Sequence, residues 1–241
     1  MSQLKGKSAI ITGAGTGIGK GAALALAREG ASVMLCGRRN EPLANVATQI
    51  MEEGGEAVFL TADVSQENDV ERIVNTTVAN YGSIDILVNN AGIGGGGAIH
   101  QHSVETWDRI IQVNLRGPFL MSRAVLPLMR KARMGHIVNI SSESGLEYYP
   151  GNGAYGVSKH ALNALGEYIQ RENQDLGIRV DTLCPGMVIS EMSENLPGLN
   201  LEKCLTPEDI AELLLWLVTR RANIKIGRPV LIQTMENPWQ A

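Results

Sequence analysis

Ser8-Ala9-Ile10-Ile11-Thr12-Gly13-Ala14-Gly15-Thr16-Gly17-Ile18-Gly19 is the stretch whose reading decides the architecture of this chain. An apolar run of strand length enters a glycine-rich turn. The turn leads straight into a pattern of helical spacing, with Ile18, Ala22, Ala25 and Leu26 on one face and a natural stop at Gly30. A second apolar run opens at Ser32. Strand, glycine turn, helix and strand in that order are the βαβ unit of a parallel sheet.

The alternation continues outward from that unit. Apolar runs at 8–12, 32–36, 57–61, 84–89, 136–140, 178–184 and 229–234 are separated by helical patterns. They are nearly continuous in hydrophobicity, as expected of strands covered by helices on both faces; a half-exposed strand would alternate. The expected fold class is therefore α/β, a doubly wound three-layer sandwich around a seven-stranded parallel sheet. No internal repeat, proline-rich linker or long charge run divides the chain, so residues 1–241 are expected to form one domain.

Composition narrows the partners. Hydrophobic residues make up 44% and charged residues 19%, an ordinary globular balance. A formal net charge of -4 with only 4% aromatic residues gives neither the basic stripe nor the stacking platform of a nucleic-acid binder. Residues 1–7 are short and polar, and the apolar run after them is too short for a signal segment or a membrane span. A cytoplasmic protein with no membrane partner is expected. Cys36, Cys184 and Cys204 are odd in number and widely spaced, which predicts buried free thiols in place of a disulfide framework or metal clamp. His100-Gln101-His102 has no third ligand at suitable spacing, so no metal is expected.

A glycine turn that opens a helix lets backbone N–H groups and the helix dipole meet a pyrophosphate. Gly13, Gly15, Thr16, Gly17, Ile18 and Gly19 form that turn here, with the spacing Gly-x-x-x-Gly-x-Gly. Open α/β sheets bind ligands beyond the carboxyl ends of their strands, where the strand order reverses, and the first strand leads to that point. Asp63-Val64 and Asn89-Asn90-Ala91-Gly92 close the third and fourth runs and should line the same crevice. The second run ends Leu35-Cys36-Gly37-Arg38-Arg39, with no carboxylate for an adenosine ribose diol. A guanidinium fork suits a 2′-phosphate, so Arg38, with Arg39 second, points to NADP(H) as the cofactor and leaves NAD(H) as the alternative.

After the fifth run comes Ile140-Ser141-Ser142, and thirteen positions beyond Ser142 stands Tyr155 in Tyr155-Gly156-Val157-Ser158-Lys159. Spacing of four on a helix stacks the phenol and the ammonium on one face. A phenol with pKa near ~10 is a poor base at neutral pH, and a neighbouring cation favours its ionised form. Tyr148 and Tyr149 precede that helix and are candidates for the wall of a substrate pocket. His160 points about a hundred degrees away from Lys159 and is expected to serve packing or surface.

Taken together, Thr12 through Gly19, Asn89 through Gly92, Asn114, Ser142, Tyr155 and Lys159 resemble the short-chain dehydrogenase/reductase family, in its compact single-domain branch, over most of the chain. The resemblance implies a Rossmann-type sheet of order 3-2-1-4-5-6-7 and hydride transfer at the nicotinamide C4. Pro185-Gly186-Met187-Val188 resembles the family's turn against the nicotinamide carboxamide, which adds Pro185, Gly186 and Val188 to the cofactor set alongside Tyr155 and Lys159.

By the same resemblance, Ser142 would hold the substrate oxygen and Tyr155 would protonate it. Lys159 would hold the nicotinamide ribose and lower the Tyr155 pKa. Asn114, within Asn114-Leu115-x-Gly117, would anchor a water relay. The expected function is an oxidoreductase that moves hydride between NADP(H) and a small ketone or aldehyde, or the corresponding alcohol. The alternatives are an NAD(H)-dependent alcohol dehydrogenase of the same family and a cofactor-sensing binding protein. A homo-oligomer, dimer or tetramer, is expected. The segment 224–234 departs from the family's common Thr-Gly…Asp-Gly-Gly ending and looks more like the subgroup of serine 3-dehydrogenase-like and clavulanate-type aldehyde reductases. Substrate choice should fall to the loops 93–98, 143–153 and 187–205, where Ile189, Met192 and Leu196 could cover an apolar substrate.

Overall fold

All five residues of the first strand, β1 (Ser8–Thr12), are buried, and the two sides of its pleat serve different cores. Ile10 packs with Met34, Leu87 and Ile137, whereas Ala9 and Ile11 pack with Val33, Leu35, Val88 and Val138. Side chains alternate across a strand, so a strand covered on both faces must be apolar at every position. That is why the run is continuous. In the computed structural model, which describes residues 2–194, 196–221, 223–227 and 229–240, β1 pairs in parallel with β2 (Ser32–Gly37) on one side and with β4 (Ile86–Asn89) on the other.

The sheet is completed by β3 (Glu56–Thr61), β5 (Gly135–Ile140), β6 (Ile178–Pro185) and β7 (Val230–Ile232), all parallel, in the order β3-β2-β1-β4-β5-β6-β7. Helices α1 (Gly17–Arg28), α2 (Asn40–Glu52) and α7 (Pro207–Thr219) supply the core on one face. The other face is covered by α3 (Glu67–Tyr81), α5 (Gly117–Ala132) and α6 (Gly153–Asn173). The short helix α4 (Val104–Ile111) lies between β4 and α5. The seven-stranded doubly wound sandwich expected from the sequence is the fold observed, with the implied strand order.

Two boundaries and one expectation of burial differ from the sequence reading, each for a physical reason. The fourth run was expected from residue 84, but Asp85 is taken up at the strand's entry: its carboxylate accepts from the Ser8 N–H at 3.0 Å and from Lys7 Nζ at 2.9 Å. The seventh run was expected over 229–234; β7 spans only three residues, with Leu231 exposed. Both β3 and β7 are edge strands, and their residues are half-buried or exposed, so the expected cover on both faces holds for the inner strands only.

At the amino-terminal end of the sheet, His136 on β5 is buried between β6 residues. Its Nε2 lies 2.7 Å from an Asp181 oxygen and its Nδ1 3.0 Å from an Arg179 nitrogen. A guanidinium only donates, so Nδ1 must accept and Nε2–H must donate to Asp181. His136 is thus neutral in the fold.

All three cysteines are free and buried, as expected. Among the described residues no group of three metal-ligating side chains forms, and no helix is long and apolar enough to cross a membrane.

Candidate active site

The glycine turn after β1 is shaped by what leaves no room for a side chain. Gly13 has φ +65°, and a Cβ there would lie 2.9 Å from Asn90 Nδ2. A Cβ on Gly19 would fall onto the Gly13 carbonyl oxygen, and one on Gly15 would lie 2.9 Å from Pro42 Cβ. The turn is tied to the exit of β4: Thr12 Oγ1 accepts from the N–H groups of Asn90 and Ala91 at 2.9 and 3.0 Å. Asn90 Nδ2 in turn donates to the carbonyls of Thr12 and Gly13. Of the two cofactor candidates Asn90 and Ala91, the first thus holds the glycine turn itself.

Helix α1 begins here with no acidic residue in its first turn and with no side-chain cap from Thr16. The first N–H groups of a helix lack internal partners and favour an anion. A bare backbone cradle at an uncapped, acid-free helix start fits the pyrophosphate of a dinucleotide. Ile18 packs its side chain against the core beneath the turn.

Just past β2, where an adenosine is expected, Arg38 is exposed and makes no side-chain hydrogen bond or ion pair with a described residue. Arg39, the second phosphate candidate, is engaged elsewhere: its two terminal nitrogens meet both carboxylate oxygens of Glu191 at 3.2 and 2.6 Å. Glu191 belongs to the loop after β6, and the neighbouring Ser190 stands over the turn, its Cβ 3.5 Å from where a Gly17 Cβ would be. This bridge straps the loop across the crevice. Asp63 accepts from the Ser65 N–H and hydroxyl and from Arg109 at 3.0 Å. Burial pushes its carboxyl up, but these partners outweigh burial and hold it below its ordinary value. Val64 is buried against Gly117.

The chemical end is built by β5, β4 and α6. Ser142 follows β5 in extended conformation and its hydroxyl accepts from the Ser144 N–H at 3.1 Å, opening a 3-10 turn over Glu143–Gly145. Tyr155 and Lys159 lie in the first two turns of α6, with Lys159 Nζ 5.5 Å from the phenol ring centre. Lys159 is buried and donates to the Ile140 carbonyl at 2.9 Å. A Cβ on Gly92 would lie 3.5 Å from both Lys159 Nζ and Asn114 Oδ1, so these groups converge on the Gly92 turn.

Asn114 sits in a five-residue π turn, Gln112–Arg116, between α4 and α5. It is fully buried. Its side chain accepts from the Ile93 N–H and donates to the Ile93 carbonyl and to Ser158 Oγ, at 2.8, 2.9 and 3.1 Å. A π turn adds a residue to the helical ladder and is frequent at functional sites. Periodicity gave no sign of it.

Electrostatics differ from the sequence expectation in one respect. Burial dominates at Tyr155 and pushes its phenol above the ordinary value; the Ser142 hydroxyl works the other way, and the Glu143 and Cys184 groups add to the rise. Lys159 pays for its own burial, its ammonium pushed down to about 8. The lysine was expected to draw the phenol down, but at 5.5 Å, donating to a carbonyl, it does not overcome burial.

Pro185 ends β6, and Gly186 N–H donates to the Ile232 carbonyl of β7 at 2.8 Å. Val188 is buried and bridges Leu205 across the base of the loop. Tyr148 is exposed and stacks on His160, ring centres 4.9 Å apart, so His160 does serve packing. Sequence reasoning reached Glu143 and Glu191 only as members of loops. The direct adjacency of Glu143 to Ser142 was the signal available for the first; nothing local signalled a bridge spanning 152 positions.

A nucleotide cradle at the exit of β1 and a Ser-Tyr-Lys-Asn set at the exits of β4 and β5 define a dehydrogenase-type crevice on a doubly wound sheet. The sequence matches the short chain dehydrogenase family over residues 7–198, and the chain belongs to that family of oxidoreductases. An uncharacterised oxidoreductase of Staphylococcus saprophyticus is 36% identical over 236 residues, covering 95% of this chain and all of the relative. A metagenomic short-chain oxidoreductase solved with NADP is 34% identical, covers 98% of this chain and 100% of that one, and superposes with a TM-score of 0.85. An alcohol dehydrogenase from Thermococcus sibiricus, solved with 5-hydroxy-NADP, is 31% identical over 98% of each chain, with a TM-score of 0.88.

Proposed function

We propose that this chain is an NADP(H)-dependent reductase of small ketones or aldehydes, able to run in reverse as an alcohol dehydrogenase. The observation that carries the reading is the convergence of Ser142, Tyr155, Lys159 and Asn114 beside the uncapped start of α1, with Arg38 exposed at the adenosine end. A nicotinamide dinucleotide, when bound in this crevice, supplies or takes up the hydride.

The chain's own residues handle the proton. Tyr155, its phenol raised by burial, keeps its proton at neutral pH and donates it to the substrate oxygen as negative charge develops there. The Ser142 hydroxyl hydrogen-bonds the same oxygen and acts most strongly in the transition state. Lys159, titrating near about 8, is matched to return a proton to Tyr155 at working pH. Asn114 fixes the Ile93 backbone through both its N–H and its carbonyl, beside the Gly92 turn that Lys159 also approaches, where a water relay would pass. Arg38 supplies the guanidinium for a 2′-phosphate, and no acidic residue closes β2 to take the ribose diol instead. The relatives solved with NADP and with an NADP derivative favour the same choice.

Initial rates with NADPH and NADH against small ketones, aldehydes and diketones test the reading. NADPH-dependent turnover is expected, falling at least ~100-fold in Tyr155→Phe, the range of a lost general acid. Arg38→Ala should weaken NADPH binding and spare NADH. Preference for NADH, or NADPH affinity untouched by Arg38→Ala, would overturn the cofactor assignment. Tight NADPH binding with no turnover of any carbonyl would favour the sensing role.

A further inference from the structure

Glu143, the residue next to Ser142, is a carboxylate turned toward the Pro185-Gly186 turn, and among the described residues it forms no ion pair. Its Oε2 accepts from Gln233 Nε2 at 2.6 Å, and a Cβ built on Gly186 would lie 3.2 Å from the same oxygen, which places the acid over the Pro185-Gly186 turn at the chemical end of the crevice. Its charge reaches the catalytic phenol, contributing to the rise at Tyr155. It also reaches Tyr149, whose phenol is pushed up by burial and then by the Glu143 carboxylate. Lys159, the buried cation of the same crevice, donates to the Ile140 carbonyl. Lys203, on the loop beyond β6, faces Glu236 and the Gln240 carbonyl.

The Gln233 amide gives the half-buried Glu143 side chain a hydrogen bond but no countercharge. Gln233 fixes one oxygen and leaves acceptor capacity on the other. Tyr149 stands exposed on the same loop near enough to feel the Glu143 carboxylate, and an aromatic side chain beside a carboxylate favours a cation over a neutral or anionic group. An anionic substrate would be repelled from this position.

We infer that Glu143 is a specificity-determining residue that selects carbonyl substrates bearing a positively charged nitrogen close to the reacting carbon, such as ammonium-substituted ketones. The inference rests on the carbonyl-reductase reading and names its substrate class. A purely structural role for Glu143, as the anchor of the chain beyond β7 through Gln233, predicts no discrimination by charge.

The test uses three methyl ketones: trimethylammonioacetone, its uncharged isostere neopentyl methyl ketone, and levulinate. A fixed quaternary charge removes any titration of the substrate itself. With NADPH, kcat/KM for the cationic ketone should exceed that for the isostere at least tenfold, with levulinate poorest, and Glu143→Gln should bring the first two within about threefold of one another. Calorimetric binding of the corresponding alcohols to the protein with NADP+ gives a readout independent of turnover. The cationic alcohol should bind at least tenfold tighter than its isostere, an advantage lost in Glu143→Gln. Equal kcat/KM or equal affinity for the two isosteres, or a cation preference that survives Glu143→Gln, would overturn the inference while leaving carbonyl reduction intact. If no ketone turns over, the carbonyl-reductase reading falls, and the alcohol titrations still decide whether Glu143 binds a cation.

Discussion

Lys159 is an ammonium kept where the fold would be more stable without it. It is 4% exposed, and burial holds it at about 8 against an ordinary ammonium above 10. Below pH 8 the folded protein carries the charge in a poorly solvated place, at a cost on the order of ~3 kcal/mol. The lost contact to the Ile140 carbonyl would give back about 1 kcal/mol of that on substitution. Lys159→Met should therefore raise the melting temperature at pH 7 while abolishing turnover. The sign follows from linkage: the unfolded chain binds the extra proton between about 8 and 10.5, so the wild type gains stability from this group as pH rises through that window. Melting curves of both proteins from pH 7 to 10 check this; a gap that fails to narrow toward pH 10 would refute it. At this scale the proximity of Tyr155 and Lys159 was legible, because the two need only helical spacing to meet. Glu143 was not singled out, since its orientation depends on Gln233, ninety positions away.

The turn between β1 and α1 shows how an element can be readable down to single atoms. Its glycines were legible because each answers a local demand: a Cβ on Gly19 would strike the Gly13 carbonyl, those on Gly13 and Gly15 would crowd Asn90 and Pro42 respectively, and Gly13 and Gly17 have positive φ. Gly19→Ala gains about 1 kcal/mol of helix propensity, but its Cβ must push apart backbone and the Asn90 amide, an overpacking cost of about 1–3 kcal/mol. The net expectation is a lower melting temperature and at least tenfold weaker NADPH binding, read by thermal melts and by fluorescence titration. An alanine variant that binds normally would show the turn to be looser than its contacts imply. Other elements escaped the sequence for reasons of the same kind. The π turn at Gln112–Arg116 inserts one residue into an otherwise regular helical pattern, too little to shift an apolar period. Strand β7 looked longer than it is because Pro229 through Thr234 are mostly apolar, yet an edge strand has only one neighbour to extend along.

Across the whole molecule, the carboxyl ends of the strands carry the candidate site and the opposite ends carry a buried polar group that serves the fold. His136 is held neutral there, pushed down by burial and by Arg179 against the pull of Asp181. Arg179 also reaches the carbonyls of Leu217, Arg221 and Ile224, which joins β6 to the end of α7 and the chain after it. The unfolded chain takes up this proton near ~6.5 and the folded one only at lower pH, so this group's stability is present above ~6.5 and lost as pH falls. The melting temperature should decline on going from pH 7.5 to 5 more steeply in the wild type than in His136→Gln. Equal slopes would mean that His136 contributes nothing. The overall layering was legible because inner strands must be apolar on both faces, whereas polar clusters such as this one join residues whose partners lie on other strands. The strap from Arg39 to Glu191 joins the two ends of the crevice in the same way. One of its residues follows β2 on the proposed cofactor side, the other belongs to the loop after β6 on the proposed substrate side. A lineage that retools that loop for a new substrate therefore inherits a disturbance at its cofactor end, and must carry compensating changes in both places or abandon the bridge.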